Sequence, residues 1–173
     1  MTIRASSFPA LFSCAHRWEA MHIDGMKSTV GFRAVLGTAV HHGTAIFDQS
    51  RMNDGGITIS DATGAFIDKL RKPESDFDPK KDDLKPKDAE FIGISLLTDY
   101  CKNWSPKFNF SAVEMTVSPL DIDCGSGVIV RLTGTMDRAR VATTDAGQVI
   151  SDIKTGSRVI EAGAVVTHFD DDA

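Results

Sequence analysis

Apolar residues recur at helical spacing through roughly the first 105 positions and at strand spacing beyond about 110, which predicts a helical half followed by a sheet. Phe8, Leu11, Phe12, Ala15 and Trp18 share one face of a helix expected to begin near Phe8 and to pack, with Ser6-Ser7 as N-cap and Pro9 tolerated in its first turn. A second helix is predicted over Ala34 to Asp48, with Val35, Leu36, Ala39, Val40, Ile46 and Phe47 apolar. Gln49 to Thr58 reads as a loop, after which Ser60 or Asp61 caps a helix carrying Ala62, Ala65, Phe66 and Leu70 that ends at Pro73. Residues 73–86 alternate charges between prolines and carry no core-forming pattern, so they are expected to form a solvated loop, the place in the domain most open to disorder. Asp88 to Trp104 predicts a long helix whose broad stripe, including Phe91, Ile94, Leu97 and Cys101, suits the main helix against the sheet.

Val113, Met115 and Val117 alternate with Glu114 and Thr116 in a predicted strand, and Pro119 to Gly127 reads as a turn region. Val128 to Met136 and Gln148 to Lys154 then predict a β-hairpin, with Asp145-Ala146-Gly147 supplying turn residues. Alternation puts Asp152 and Lys154 on one face with Ile150; a register that brings the end of the first strand alongside adds Asp137. Two carboxylates converging with a lysine on a sheet can hold a hard divalent cation and aim a water at a phosphate.

Composition adds bounds. With 173 residues, 42% of them hydrophobic, the chain suits one α/β (α+β) domain. Residues 1–105 are expected to be mainly helical, 110–156 to form the sheet that carries the site, and 157–173 to form a tail. The N-terminal apolar stretch is broken by Pro9 and Ser13, a poor signal peptide, and no run approaches the about 20 apolar residues of a membrane span. A soluble cytoplasmic protein without a membrane partner is expected. Cys14, Cys101 and Cys124 are odd in number and widely spaced, against a disulfide framework or a zinc site. The net charge of −5 argues against a protein that coats nucleic acid by bulk electrostatics. Between Arg131 and Arg158, however, five basic residues stand against three acidic ones, a local +2 against −7 elsewhere. That local balance suits a positive mouth or, equally, arginines scattered on a hairpin surface.

Individual residues sharpen the chemistry. The helical neighbours of His41 are Gly37, Thr38, Thr44 and Ala45, a small-residue strip that lets another backbone approach and leaves the imidazole as the large polar group there. Packing and chemistry both remain open for His41, and for Glu114 in mid-strand. Asp-x-Lys is a weak motif by itself: Asp78-Pro-Lys80 and Asp83-Leu-Lys85 also occur, both in the charged loop. Only Asp152-Ile-Lys154 lies on a predicted apolar strand beside another carboxylate.

The order Gly37-x-x-x-His41, Glu114 in a strand, Gly134-Thr-Met-Asp137 and Asp152-Ile-Lys154-Thr-Gly resembles the PD-(D/E)XK nuclease superfamily, in particular its RecB-like and phage-type exonuclease branch. Cys14-x-x-x-Trp18 ahead of Leu36-Gly-Thr-Ala-Val-His41 is also similar to that branch, and the resemblance covers roughly residues 5–160. It implies a restriction-endonuclease-like core, a small mixed central sheet flanked by helices. Asp137 and Asp152 would ligate Mg²⁺ or Mn²⁺, with the backbone carbonyl of Ile153 as a further ligand and His41 and Glu114 completing the metal or water shell. Lys154 would orient the attacking water, and Arg17, Arg138 and Arg158 are candidates for contact with DNA.

The activity implied is a metal-dependent DNA exonuclease of recombination or repair, with DNA as substrate and a recombination protein as a candidate partner. The family's Gln-x-x-x-Tyr helix has no counterpart after Val159, so the C-terminal part of the fold is expected to be missing. A catalytically impaired DNA-binding or assembly module is therefore the alternative reading. Cys14 stands where some relatives place the first ligand of an iron–sulfur cluster, and the lack of a later cysteine cluster argues against one here.

Overall fold

The computed structural model describes residues 1–141, 147–155, 160–161 and 164–165. In chain order the strands are β1 (Thr2–Arg4), β2 (Phe110–Thr116), β3 (Leu120–Asp123), β4 (Ile129–Thr133), β5 (Thr135–Val141), β6 (Gln148–Ser151), β7 (Ile160–Glu161) and β8 (Ala164–Val165). The α-helices are α1 (Phe8–Ser13), α2 (Ala15–His22), α3 (Phe32–Met52), α4 (Ile59–Arg71) and α5 (Pro86–Asp99).

α3 is the axis of the molecule. Its Phe32, Val35, Leu36, Ala39, Val40 and Phe47 recur at helical spacing and are all buried. α4 and α5 pack on that face, and Phe66 of α4 is wholly buried at their junction. A burial of that kind contributes about 2–3 kcal/mol. Gly43 and Gly93 make room for the ring: a Cβ on Gly43 would lie 3.1 Å from the Cβ of Phe66, and one on Gly93 would strike the ring itself. The start of α4 is fixed by a capping box, Asp61 N–H donating to Thr58 Oγ1 at 3.2 Å and Thr58 N–H to Asp61 Oδ2 at 2.9 Å. The cap is thus Thr58, two residues ahead of Ser60, and Asp61 is its reciprocal partner.

Three helical expectations change. The helix predicted from Phe8 is broken at Cys14, whose backbone is extended, so spacing no longer builds one face; Trp18 is buried but Phe12 is 84% exposed. α3, not the 88–104 helix, lies against β2, while α5 packs on α3 and α4 and ends in a π-turn over Tyr100–Trp104. The charged loop is tied down: Val30 bridges Phe77, whose ring lies 5.0 Å from that of Phe32, and Arg33 pairs with Asp83 at 2.6 Å. Its charges serve local partners, and Phe77 and Leu84 reach the core side.

Among the described residues the longer strands form two three-stranded sheets. One is antiparallel in the order β2-β5-β6; the other, β1-β4-β3, pairs β1 parallel and β3 antiparallel to β4. The expected strand Val128–Met136 is two strands in two sheets, divided at Gly134. A Cβ there would lie 3.6 Å from Val117 Cγ2, and the chain crosses between sheets at this point. The hairpin that carries the site is accordingly β5–β6, with Arg138 opposite Ser151 and Val141 opposite Gln148. Its turn residues Asp145 and Ala146 lie outside the described residues, and Gly147 has the positive φ of 82° that a turn glycine supplies. Leu120–Asp123, expected as turn, is the exposed strand β3. Within the segment expected to be a tail, β7 and β8 pair antiparallel.

Candidate active site

Four elements converge on one side of α3. His41 comes from α3 beside the small-residue strip, and the strip does what small residues allow: a Cβ on Gly37 would lie only 2.7 Å from Thr155 Oγ1. The segment Asp152–Thr155, which follows the end of β6 rather than lying within it, is thereby brought against the helix. Glu114 comes from β2 with a φ of 52°, the left-handed region that costs a residue with a Cβ about 1–3 kcal/mol. The pairs on either side, Val113 with Arg138 and Met115 with Met136, put Glu114 across from Asp137 of β5. A bulge between Phe110 and Ala112 bends β2 just before this point.

The imidazole lies between two carboxylates, Nε2 at 2.8 Å from Asp137 Oδ2 and Nδ1 at 3.2 Å from Glu114 Oε1. The amide of Ile153 donates to Asp137 Oδ2 at 3.1 Å. Asp152, opposite Asp137 by the β5–β6 register, forms an ion pair with Lys154 at 2.8 Å. Burial works to raise the Asp137 carboxyl, but the hydrogen bonds it accepts from His41 and the Ile153 amide hold it well below the ordinary carboxylate range. The hydrogen bond to Asp152 holds the Lys154 ammonium above its ordinary range, slight burial opposing, so it stays charged.

One ligand atom from each of His41, Glu114 and Asp137 lies within 4.8 Å of the others, and all three residues are half-buried. Two carboxylate oxygens and one imidazole nitrogen suit a divalent cation that retains water, so the donors present fit Mg²⁺ or Mn²⁺. Asp152 is the adjacent carboxylate and not part of that tightest group.

Behind the cluster lies a buried polar layer that sequence reasoning missed. Asp48 accepts from Arg138 Nε at 2.7 Å, from the Tyr100 hydroxyl at 2.7 Å and from Ser105 Oγ at 2.5 Å. Both Asp48 and Arg138 are 0% exposed. Burial, and then the Asp48 carboxylate beside it, push the Tyr100 phenol far above its ordinary range. A signal was present: His41, Thr44 and Asp48 stand at i, i+3 and i+7, one face of α3.

Arg138 is therefore not a DNA-contact residue. It is sealed in the interior with its charge committed to Asp48 and Glu114, and no phosphate can reach it. Arg17 is exposed on α2, an element that carries none of the cluster, and Arg158 lies outside the described residues. Part of the local positive balance is met by nearby carboxylates: Arg131 of β4 pairs with Asp121 at 2.7 Å and Lys154 with Asp152 at 2.8 Å.

An imidazole, three carboxylates and a lysine gather where a helix meets an antiparallel sheet. The chain belongs to the PD-(D/E)XK nuclease superfamily, which it matches over residues 3–169. The mixed α/β architecture agrees with the restriction-endonuclease-like core of that group. No curated protein sequence matches the chain. Among the described residues no helix is long and apolar enough to cross a membrane.

Proposed function

We propose that the chain is a divalent-metal-dependent nuclease that hydrolyses phosphodiester bonds of DNA, and that within its superfamily it is an exonuclease of the RecB-like, phage-type kind serving recombination or repair. The observation that carries the reading is the convergence of His41, Glu114 and Asp137 within 4.8 Å, with Asp152 and Lys154 alongside. Asp137, Asp152, Glu114, His41 and the Ile153 carbonyl would hold Mg²⁺ or Mn²⁺. When bound, such an ion polarises a phosphoryl oxygen and lowers the pKa of a coordinated water.

The chain's own residues account for the rest. Asp137 stays ionised at any working pH, a constant acceptor whose position is fixed by His41 and the Ile153 amide. Lys154, kept protonated by Asp152, is a hydrogen-bond donor to the attacking water and to the charge that grows on the phosphoryl oxygens, and not a base. As water bonds to phosphorus the bond from phosphorus to the departing ester oxygen breaks; the water loses a proton to solvent and the departing oxygen takes one up from solvent to leave as a hydroxyl. Because Lys154 is 84% exposed, a polymer backbone can reach it without any opening of the fold.

The test is incubation of the pure chain and of Asp152→Ala with end-labelled linear DNA and closed circular DNA, in Mg²⁺, Mn²⁺ or EDTA. Linear DNA is expected to be lost in either metal, with the closed circle intact and no loss in EDTA or by the variant. Cleavage of the circle makes the enzyme an endonuclease. Binding of DNA without cleavage, equal in both proteins, replaces the enzyme with a binding or assembly module.

A further inference from the structure

Arg138 is, among the described residues, the largest side chain that is wholly buried. All three guanidinium nitrogens are engaged. Nε donates to Asp48 Oδ2 at 2.7 Å; Nη1 donates to Glu114 Oε1 at 3.3 Å and to the carbonyl of Asp137 at 2.8 Å; Nη2 donates to Thr44 Oγ1 at 3.2 Å. Thr44 Oγ1 in turn donates to the carbonyl of His41 at 2.9 Å. One rigid planar group therefore reaches Glu114 through its side chain, Asp137 through its backbone and His41 through one intervening hydroxyl. These are the three residues of the candidate metal cluster.

The anchor of that group is equally fixed. Asp48 is held from α3, from the π-turn through Tyr100 and from Ser105, whose carbonyl and hydroxyl both accept from Arg51 of α3. Glu114 needs such an anchor more than its neighbours do. A residue held at a φ of 52° relaxes unless surrounding contacts over-determine it. Its Oε1 is met from one side by Arg138 and from the other by His41. A lysine could supply the charge but not the fork, since an ammonium is a point donor with no fixed plane.

We infer that Arg138, anchored by Asp48, is the positioning residue of the metal cluster: it sets the mutual geometry of His41, Glu114 and Asp137 and touches neither substrate nor metal. The inference rests on the nuclease reading, and a merely structural role and a positioning role separate in what they move. A core ion pair would change stability alone. A positioning residue changes metal affinity in a protein that remains folded, by about 10- to 100-fold for the partners that orient metal ligands. Because Arg138 meets no phosphate, the salt dependence of DNA binding should be untouched by its replacement.

The experiment measures Mn²⁺ binding by isothermal titration calorimetry on the full chain, on Arg138→Lys and on Thr44→Val, each checked for folding by circular dichroism. Arg138→Lys is expected to bind Mn²⁺ at least 10-fold more weakly and to recover cleavage when Mn²⁺ is raised, with an unchanged salt slope for DNA. Thr44→Val, which removes the hydroxyl that joins Arg138 Nη2 to the carbonyl of His41, is expected to lose a few-fold in affinity. Wild-type Mn²⁺ affinity in folded Arg138→Lys overturns the inference. If that variant does not fold, wild-type affinity in Thr44→Val does so instead. A native chain that binds no Mn²⁺ overturns the nuclease reading itself and takes this inference with it.

Discussion

Lys154 projects from the segment after β6 with 84% of its side chain exposed, so its removal leaves no cavity and strands no buried partner. Lys154→Ala is accordingly expected to fold and melt as the native chain does while losing about 10²- to 10³-fold in cleavage rate, the usual cost of deleting one preorganised donor. Near-native cleavage by pure Lys154→Ala would remove this residue from the chemistry. Tyr100 offers a second measurement, because it is the single tyrosine of the chain. Its phenol is raised by burial and by Asp48, so ionisation opposes the folded state. For a group raised in the fold, the stabilisation is complete below its unfolded value of about 10 and is lost as pH climbs beyond it. In an alkaline titration the phenolate absorbance should stay absent past pH about 10 and rise together with loss of helical dichroism. A phenolate signal appearing near its ordinary pH in a chain that is still helical would contradict the buried hydrogen bond to Asp48.

At the scale of elements, close helix packing depends on glycines whose neighbours differ. Gly93 of α5 faces the buried ring of Phe66, whereas a Cβ on Gly64 of α4 meets nothing within 4 Å. Alanine is favoured over glycine within a helix by about 1 kcal/mol. Gly64→Ala should therefore gain up to that amount, while Gly93→Ala should lose about 1–3 kcal/mol to overpacking despite the same intrinsic benefit. Urea denaturation of the pair distinguishes the two, and equal shifts would mean that α4 and α5 do not meet at Phe66. The same elements show what a sequence can carry. α3, α4 and α5 were legible because their buried positions repeat at helical spacing, and His41 with Gly37 was legible because small residues mark a close approach. The division at Gly134 was not, since apolar alternation runs through it unbroken and only sheet pairing assigns its two sides. β3 was hidden by Pro119 and the glycines around it, although Leu120 and Ile122 alternate with Asp121 and Asp123. Arg138 escaped because a charged residue in a strand is ordinarily solvated, and its counter-charge, Asp48, lies 90 positions away.

At the scale of the molecule, three carboxylates share a small volume with one imidazole and one lysine, so a divalent cation should act as a ligand for the fold as well as for the chemistry. At an Mn²⁺ concentration one hundred times its dissociation constant the folded state gains about 2.7 kcal/mol. For a chain of this length that corresponds to a melting point roughly 5–10 °C higher. EDTA should abolish the shift, and so should Asp137→Asn; a melting point indifferent to Mn²⁺ would leave the cluster without its ion.

The parallel pairing of β1 with β4 has a temporal consequence. Ile3 and Thr133 are bonded across 130 positions, whereas α3, α4 and α5 meet through much shorter loops. Contacts that close short loops form sooner than those that close long ones. Pulsed hydrogen exchange during refolding should therefore protect the amides of α3–α5 before those of β1 and β4, and simultaneous protection would contradict that order. During synthesis, at about 5–20 residues per second, the helical layer can assemble while Asp137, Asp152 and Lys154 are still untranslated. A partly made chain on the ribosome then possesses a helical core while the cluster around His41 and Glu114 is still incomplete.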